Sequence, residues 1–179
     1  MAESHAVVVL AAGASARLGR PKQLLTIGGN PLLVHVLELA AATKAEHIVV
    51  VLGANAEQLA PLVDAALFKQ VACIVNPEWQ EGIATSLRRA ASELVDRSGR
   101  TLILGCDQPR LHAEHLVAML EAATRNPDHD IASRYNDVVG IPALVRASTL
   151  AQSNILRGDR GLRALWRDAP DDVITIDAP

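Results

Sequence analysis

The stretch Ala6-Val-Val-Val-Leu-Ala11, followed directly by the turn Ala12-Gly-Ala-Ser-Ala-Arg-Leu-Gly-Arg-Pro-Lys22, decides the fold. Its first part is a continuous apolar run rich in β-branched residues, which is typical of a strand buried on both faces. The turn that follows carries two glycines, a hydroxyl group and three cations. In an α/β fold such a turn lies at the carboxyl edge of the sheet, where ligands bind.

Apolar segments of strand length alternate with helical patterns along the rest of the chain. The predicted strands cover residues 47–52, 71–75, 101–105, 130–134, 141–145 and 173–176, and the predicted helices cover 56–67, 83–95, 113–124 and 161–166, besides one that starts at Pro31. Alternation of this kind favours a parallel sheet covered by helices on both faces. We therefore predict an α/β fold: a single domain over residues 1–179, three-layered α/β/α, with a mostly parallel, Rossmann-like sheet.

The composition argues against several classes of protein. The chain has 179 residues, a net charge of -3 and no run of Lys or Arg, so we expect no nucleic-acid partner. Cys73 and Cys106 stand far apart and in no CxxC spacing, which argues against a disulfide scaffold or a zinc ribbon. The apolar run near the start is too short for a signal core or a membrane span. We therefore expect a cytoplasmic location and no membrane partner.

The turn after the first strand has the chemistry of a phosphate site. Small residues at Ala11, Ala12 and Gly13 allow a ligand to approach the backbone, and successive N–H groups there can form an anion-binding nest. Arg17 and Lys22 supply the positive charge that a triphosphate requires. The turn matches neither GxGxxG nor the P-loop, because the second glycine is followed by Arg-Pro-Lys-Gln. From the turn alone, a solvated loop without a ligand remains an equal alternative.

The turn, written Leu10-Ala-Ala-Gly-x-Ser-x-Arg17-x-Gly-x-x-Lys22, resembles the signature of the molybdenum-cofactor guanylyl- and cytidylyltransferase-like family of nucleoside-triphosphate transferases. Further segments are similar to that family in the same order: Asn76-Pro-Glu-Trp-Gln-Glu-Gly82-Ile-Ala-Thr-Ser86-Leu, Asp107-Gln-Pro109, Tyr135 with Gly140-Ile-Pro142, Gly158-Asp-Arg-Gly161-x-Arg163, and Ile176-Asp-Ala-Pro179. Ala-Ala-Gly, Lys-Gln-Leu and Asp-Gln-Pro together look most like the cytidylyltransferase branch. The guanylyl branch usually has a second glycine where Ala12 stands.

The resemblance implies a reaction and the residues for it. An acceptor phosphate, on molybdopterin, attacks the α-phosphorus of CTP and pyrophosphate leaves, with Mg²⁺ as cofactor and a molybdoenzyme or its chaperone as a possible protein partner. The implied catalytic residues are Arg17, Lys22 and Asp107, and the implied metal ligands are Asp107 and Asp177. Nucleotide binding is assigned to Leu10, Ala11, Ala12, Gly13, Ser15, Arg17, Lys22, Asn76, Gly82 and Ser86, and acceptor binding to Gln108, Gly140, Pro142, Asp159 and Arg160.

Several of these residues also fit purely structural roles. Asn76-Pro77 is a turn signal, Asp107 suits a turn before Pro109, and Asp177 is equally consistent with a surface acid. Cys106 fits a buried thiol at a strand end. Two other classes of function stay open. One is an NAD(P)-binding oxidoreductase on the same scaffold, although the missing GxGxxG argues against it. The other is a non-catalytic accessory protein of a molybdoenzyme.

Overall fold

The computed structural model describes residues 4–65, 71–97 and 99–178. The strands in these residues are β1 (His5–Ala11), β2 (Thr26–Ile27), β3 (Asn30–Pro31), β4 (His47–Leu52), β5 (Val71–Val75), β6 (Arg100–Gly105), β7 (Asp130–Tyr135), β8 (Val138–Val145) and β9 (Val173–Asp177). The α-helices are α1 (Leu32–Ala42), α2 (Ala56–Ala65), α3 (Ile83–Glu93), α4 (Ala113–Arg125), α5 (Ala147–Gln152) and α6 (Arg163–Asp168). Short 3-10 helices at Ala16–Leu18 and Lys22–Leu24 lie in the segment after β1.

Seven strands form one sheet in the order β5-β4-β1-β6-β8-β7-β9. The ladders β5–β4, β4–β1, β1–β6 and β7–β9 are parallel, and β8 runs antiparallel to both of its neighbours. The direction of β8 follows from its connection to β7, which consists of Asn136 and Asp137, with Asn136 at a φ of 53°. So short a link permits a hairpin, whereas a parallel crossover needs about a dozen residues or more. The predicted mostly parallel sheet is confirmed.

The core consists of two layers of aliphatic side chains, one on each face of the sheet. Along β1, Val7 and Val9 pack on one face while Ala6 and Val8 pack on the other, as the two-residue period of a strand requires. α1, α2 and α4 cover the first face, and α3, α5 and α6 cover the second. The predicted three-layer α/β/α fold is therefore confirmed, and β1 is buried on both sides.

Short elements depart from the sequence prediction. The six-residue α5 and the two-residue strands β2 and β3 were not predicted, because segments so short show no hydrophobic period. The last predicted helix, 161–166, is shifted to Arg163–Asp168. The end of the predicted helix 56–67 lies outside the described residues. Within those residues, no helix has both the length and the apolar character that crossing a bilayer would require.

A buried carboxylate ties α5 and α6 to the sheet. Asp130, at the start of β7, has no exposed surface. Its Oδ1 accepts hydrogen bonds from the backbone N (2.9 Å) and Nε (3.1 Å) of Arg146 and from the Thr149 hydroxyl (3.1 Å). Its Oδ2 accepts one from Trp166 Nε1 at 2.9 Å. A buried charge is tolerated only when it is paired and hydrogen-bonded in this way, so these contacts anchor the second helical layer.

Candidate active site

A cleft of about 510 Å³ opens at the carboxyl edge of the sheet. Its walls are the end of β1 with the following turn, the end of β6, and residues from the segment 79–86. The volume suits a small organic ligand. Open α/β sheets bind their ligands beyond the carboxyl ends of the strands, so this cleft is the candidate active site.

The turn after β1 is held from inside the protein by a glutamine. The side chain of Gln23 is fully buried, and its Nε2 donates to the carbonyls of Ala11 (2.9 Å) and Gly13 (3.0 Å). The hydroxyl oxygen of Ser15 accepts a hydrogen bond from the backbone N of Lys22 at 3.0 Å. These contacts fix the path of the turn and set the backbone position of Lys22.

Lys22 and Asp107 meet inside the cleft. Lys22 Nζ lies 2.8 Å from Asp107 Oδ2, and the two side chains are 35% and 52% exposed. An ion pair so exposed contributes only about 0–1 kcal/mol to stability. It therefore breaks easily in favour of a ligand, and both the ammonium and the carboxylate are available for binding.

The wall opposite the turn depends on Gly82. This residue has a φ of 102°, and a Cβ at its position would stand 2.4 Å from the backbone carbonyl atoms of Gly158. Only glycine meets both conditions without strain. The close approach brings the neighbouring Asp159 to the cleft, which Asp107 also lines.

Asn76 organises the segment that carries Gly82. Asn76 is 1% exposed, and its Nδ2 donates to Thr85 Oγ1 (2.8 Å) and Ser86 Oγ (3.0 Å). Its Oδ1 accepts a hydrogen bond from the backbone N of Glu78 at 3.0 Å. Both amide hydrogens are thus engaged within the protein. Asn76 shapes the cleft from behind, while Ser86 lines it.

A second cavity, of about 300 Å³, adjoins the first at Asp107. It is lined by residues 107–111 and Tyr135. Gln108 Nε2 donates to Tyr135 Oη (2.6 Å) and to the carbonyl of Ile141 (2.7 Å), which fixes the floor of this cavity. Burial raises the pKa of the Tyr135 phenol, so the hydroxyl keeps its proton and donates it to the Ile141 carbonyl at 2.9 Å.

Cys106, the residue before Asp107, has an unreactive thiol at neutral pH. Burial, and then the charge of Asp107, raise the pKa of Cys106 to about 12, so the reactive thiolate is scarce at neutral pH. We expect iodoacetamide at pH 8 to leave Cys106 unmodified in the folded protein and to label the exposed Cys73 first. Peptide mass spectrometry measures both sites, with urea-unfolded protein as the control. Rapid labelling of Cys106 in the folded protein would contradict this account.

The structure brings many of the residues marked in the sequence to the cleft. Those that line it are Leu10, Ala11, Ala12, Gly13, Lys22, Gly82, Ser86, Asp107 and Asp159. Asp159 was assigned to the acceptor, yet it lies in the same cleft as the residues assigned to the nucleotide, and Gln108 lines the second cavity.

Other marked residues lie outside both cavities. Ser15 and Asn76 support the cleft from outside its lining, and Arg17 and Arg160 are exposed. Gly140 and Pro142 line neither cavity but flank Ile141, which lines the first.

Asp177 stands apart from Asp107. It ends β9, three strands from β6 in the sheet order, which is roughly 14 Å at the usual strand spacing. Its carboxylate lies 2.8 Å from the Arg134 guanidinium, and this hydrogen bond and charge lower the pKa of Asp177. In the described part of the chain, no three His, Cys, Asp or Glu side chains are grouped to hold a metal ion. Metal binding by Asp177 therefore stays a prediction.

Three residues that shape the site were not marked in the sequence. Gln23 and Gln80 line the cleft, and a Cβ on Gly53 would stand 2.6 Å from the Ala12 carbonyl, so this glycine lets β4 approach the turn. One signal was available for Gln23, since it is a polar residue between Lys22 and two leucines. No sequence pattern indicated Gln80 or Gly53, because their proximity to the turn exists only in the folded chain.

These features define a class of protein. A mostly parallel sheet whose first turn and whose strand β6 bring a lysine and a carboxylate to one cleft is typical of α/β domains that bind ligands at the carboxyl edge of the sheet. The match to a family model is more specific, and it extends over residues 7–173. The chain belongs to the family of the MobA-like NTP transferase domain.

Curated relatives agree with this membership. The bifunctional protein GlmU of Corynebacterium diphtheriae is 37% identical over 129 residues, which cover 69% of this chain and 26% of that protein. GlmU of Mycobacterium marinum is 35% identical over 149 residues, covering 79% of this chain and 30% of that protein. The chain thus spans less than a third of the length of these two relatives.

Solved structures share the fold over almost their whole length. Rv0371c from Mycobacterium tuberculosis H37Rv is 27% identical, with a TM-score of 0.79 and coverage of 100% of this chain and 91% of that one. The 4-diphosphocytidyl-2C-methyl-D-erythritol synthase of Anaerococcus prevotii has a TM-score of 0.78 at 12% identity and covers 99% and 88%. The second likeness concerns the fold alone.

Proposed function

We propose that this protein transfers CMP from CTP onto a phosphate-bearing acceptor, a phosphorylated pterin of the molybdopterin type, and releases pyrophosphate. The observation that carries the proposal is the contact of Lys22 with Asp107 within the cleft that the turn after β1 lines. Cation, carboxylate and backbone N–H groups are the three kinds of group that a metal–triphosphate complex requires.

The reaction is an in-line displacement. An oxygen of the acceptor phosphate bonds to the α-phosphorus of CTP while the bond from that phosphorus to the oxygen bridging the β-phosphate breaks, and pyrophosphate leaves with the electron pair. The acceptor needs no protein base, because a phosphate with a second pKa of about 6 is mostly ionised at neutral pH. Lys22 meets the charge that builds on the α-phosphate and the bridging oxygen. Arg17, an exposed residue of the same turn outside the lining of the cleft, would bind the β- and γ-phosphates of CTP.

The donor set suits Mg²⁺. This ion is usually held by one or two carboxylates together with substrate phosphates and waters, and Asp107 supplies a carboxylate in the cleft. Bound there, Mg²⁺ would neutralise part of the triphosphate charge. Rv0371c also has a crystal structure in complex with manganese, which supports a divalent cation. Asp177 would serve as second ligand only if it released Arg134 and the separation of three strands between β9 and β6 were closed.

The second cavity supports the choice of acceptor. It shares Asp107 with the first cleft, so a molecule bound there would face the α-phosphate. Arg110 offers a cation to an acceptor phosphate, while Leu111 and Tyr135 offer apolar surface to a flat ring. The choice of CTP rests on the likeness to the cytidylyl branch, in particular on Ala12, which lines the cleft where the other branch has glycine. A molybdoenzyme that receives the product would be the protein partner.

A thermal-shift panel of CTP, GTP, ATP, UTP and NADPH, each with and without Mg²⁺, tests the proposal. A ligand that binds only the native state at 100 times its Kd adds about 2.7 kcal/mol, which is about 5–10 °C in a domain of this size. We expect the largest shift from CTP with Mg²⁺. A larger shift from GTP than from CTP would change the proposed nucleotide from CTP to GTP. A shift from NADPH alone would overturn the transferase assignment, and no shift from any NTP would favour the accessory protein.

A further inference from the structure

We propose that Gln23 is a positioning residue whose buried side-chain amide sets the backbone of residues 11–14, so that its N–H groups face the phosphates of the nucleotide. This inference rests on the proposed function, because it concerns how the same cleft binds the phosphates of the nucleotide. Gln23 is fully buried at the floor of that cleft, and its side-chain amide contacts the turn.

Three consecutive carbonyl groups of the turn have partners inside the protein. Gln23 Nε2 donates to the oxygens of Ala11 (2.9 Å) and Gly13 (3.0 Å). The oxygen between them, on Ala12, accepts a hydrogen bond from the backbone N of Ala54 at 3.1 Å. All three peptide planes are therefore fixed, two of them by the one amide of Gln23.

The directions of these carbonyl groups also set the directions of the N–H groups. In a planar trans peptide the N–H points to the side opposite the C=O. The three carbonyls share their peptide units with the N–H groups of Ala12, Gly13 and Ala14, and all three of these residues line the cleft. The carbonyls of Ala11 and Gly13 both point to the Gln23 amide, so the N–H groups of Ala12 and Ala14 lie on the side away from it, where a phosphate would meet them. Because the planes are set before a ligand arrives, binding requires no reorganisation of the turn.

Packing alone does not require a glutamine at this position. An apolar side chain of equal length would fill the same space without the cost of burying an amide. The two amide hydrogens meet two carbonyls, which is all that one amide nitrogen can donate. Beyond volume, glutamine contributes control of the Ala11 and Gly13 carbonyls and an acceptor for the Ser15 hydroxyl at 3.5 Å.

Gln23→Met tests this role, because methionine has a similar length and no hydrogen to donate. Binding of CTP with Mg²⁺ is measured by isothermal titration and binding of cytidine by NMR titration. We expect the variant to bind CTP about 10-fold more weakly, the loss of roughly one hydrogen bond of net binding, and to bind cytidine as the wild type does. Cytidine has no phosphate, so the contrast isolates the nest. Gln152→Met, at an exposed glutamine on α5, is the matched control and should leave both affinities unchanged.

Each result decides the question. Unchanged CTP binding by Gln23→Met, or an equal loss for CTP and cytidine, overturns the positioning role while the proposed function stands. If the wild type itself binds no NTP, the proposed function fails together with this inference. Should circular dichroism find Gln23→Met unfolded, Gln23→Leu takes its place. Leucine is apolar, adds no charge and has no hydrogen to donate, and the same selective loss of CTP is expected.

Discussion

Replacing Lys22 by alanine is expected to lower kcat by about 10²–10³-fold, the effect of losing one preorganised charge contact to a transition state. Lys22 Nζ stands 2.8 Å from Asp107, the carboxylate proposed for the metal. Among the described residues, Lys22 is the one Lys or Arg side chain that lines the cleft. Charge builds on the α-phosphate and the bridging oxygen only as the bond breaks, so kcat should fall more than CTP affinity. The assay is pyrophosphate release from CTP and Mg²⁺ with a phosphorylated pterin as acceptor.

Arg20→Ala is the matched control, since it removes the same charge from the same loop at an exposed residue that does not line the cleft. We expect its kcat to stay within about twofold of the wild type, because an exposed charge outside the site is largely screened. Lys22→Arg should recover only part of the rate, because a planar guanidinium does not occupy the position of an ammonium. Wild-type kcat in Lys22→Ala would remove Lys22 from the mechanism.

Asp130→Ala is expected to destabilise the protein by about 3–5 kcal/mol, the usual cost of removing one partner of a buried charged network. The change leaves the Trp166 indole N–H, the Thr149 hydroxyl and two Arg146 donors without their acceptor. Domains have a total stability of about 5–15 kcal/mol, so this is a large share. The free energy of unfolding is measured by urea titration followed by circular dichroism.

Asp128→Ala controls for the loss of a carboxylate near the same strand. Asp128 is exposed, and Arg146 contacts only its backbone carbonyl, so its side chain can be removed without breaking that bond. Surface substitutions of this kind usually stay within about 0.5 kcal/mol. A loss below 1 kcal/mol in Asp130→Ala would show that the carboxylate does not anchor α5 and α6 as argued.

The fold was predictable where the signal is local. The run that became β1 is apolar at every position because both of its faces are covered, and burial on both faces is what a central parallel strand requires. The direction of β8 was harder to predict, because it is set by the two-residue turn at Asn136 and Asp137. The six residues of α5 are too few to display a period.

The candidate site was also predictable only in its local part. The turn with Gly13 and Lys22 is one continuous segment, so its chemistry was visible in the sequence. Lys22 and Asp107 are 85 positions apart and meet only because β1 pairs with β6 in parallel, which brings their carboxyl ends together. Asp177 belongs to a strand at the edge of the sheet, and the strand order separates it from Asp107.

By itself, the sequence determined the alternation of strands and helices, the chemistry of the turn after β1 and the family to which the chain is similar, since each is written in short continuous segments. Only the tertiary structure decided which distant side chains meet. The partner of Lys22 and the network around Asp130 both depend on strand order. The hydrogen bonds from Gln23 to two carbonyls depend on how the segment after β1 folds back on itself. Strand order follows from the burial of both faces of the sheet at once, and a linear pattern does not encode it.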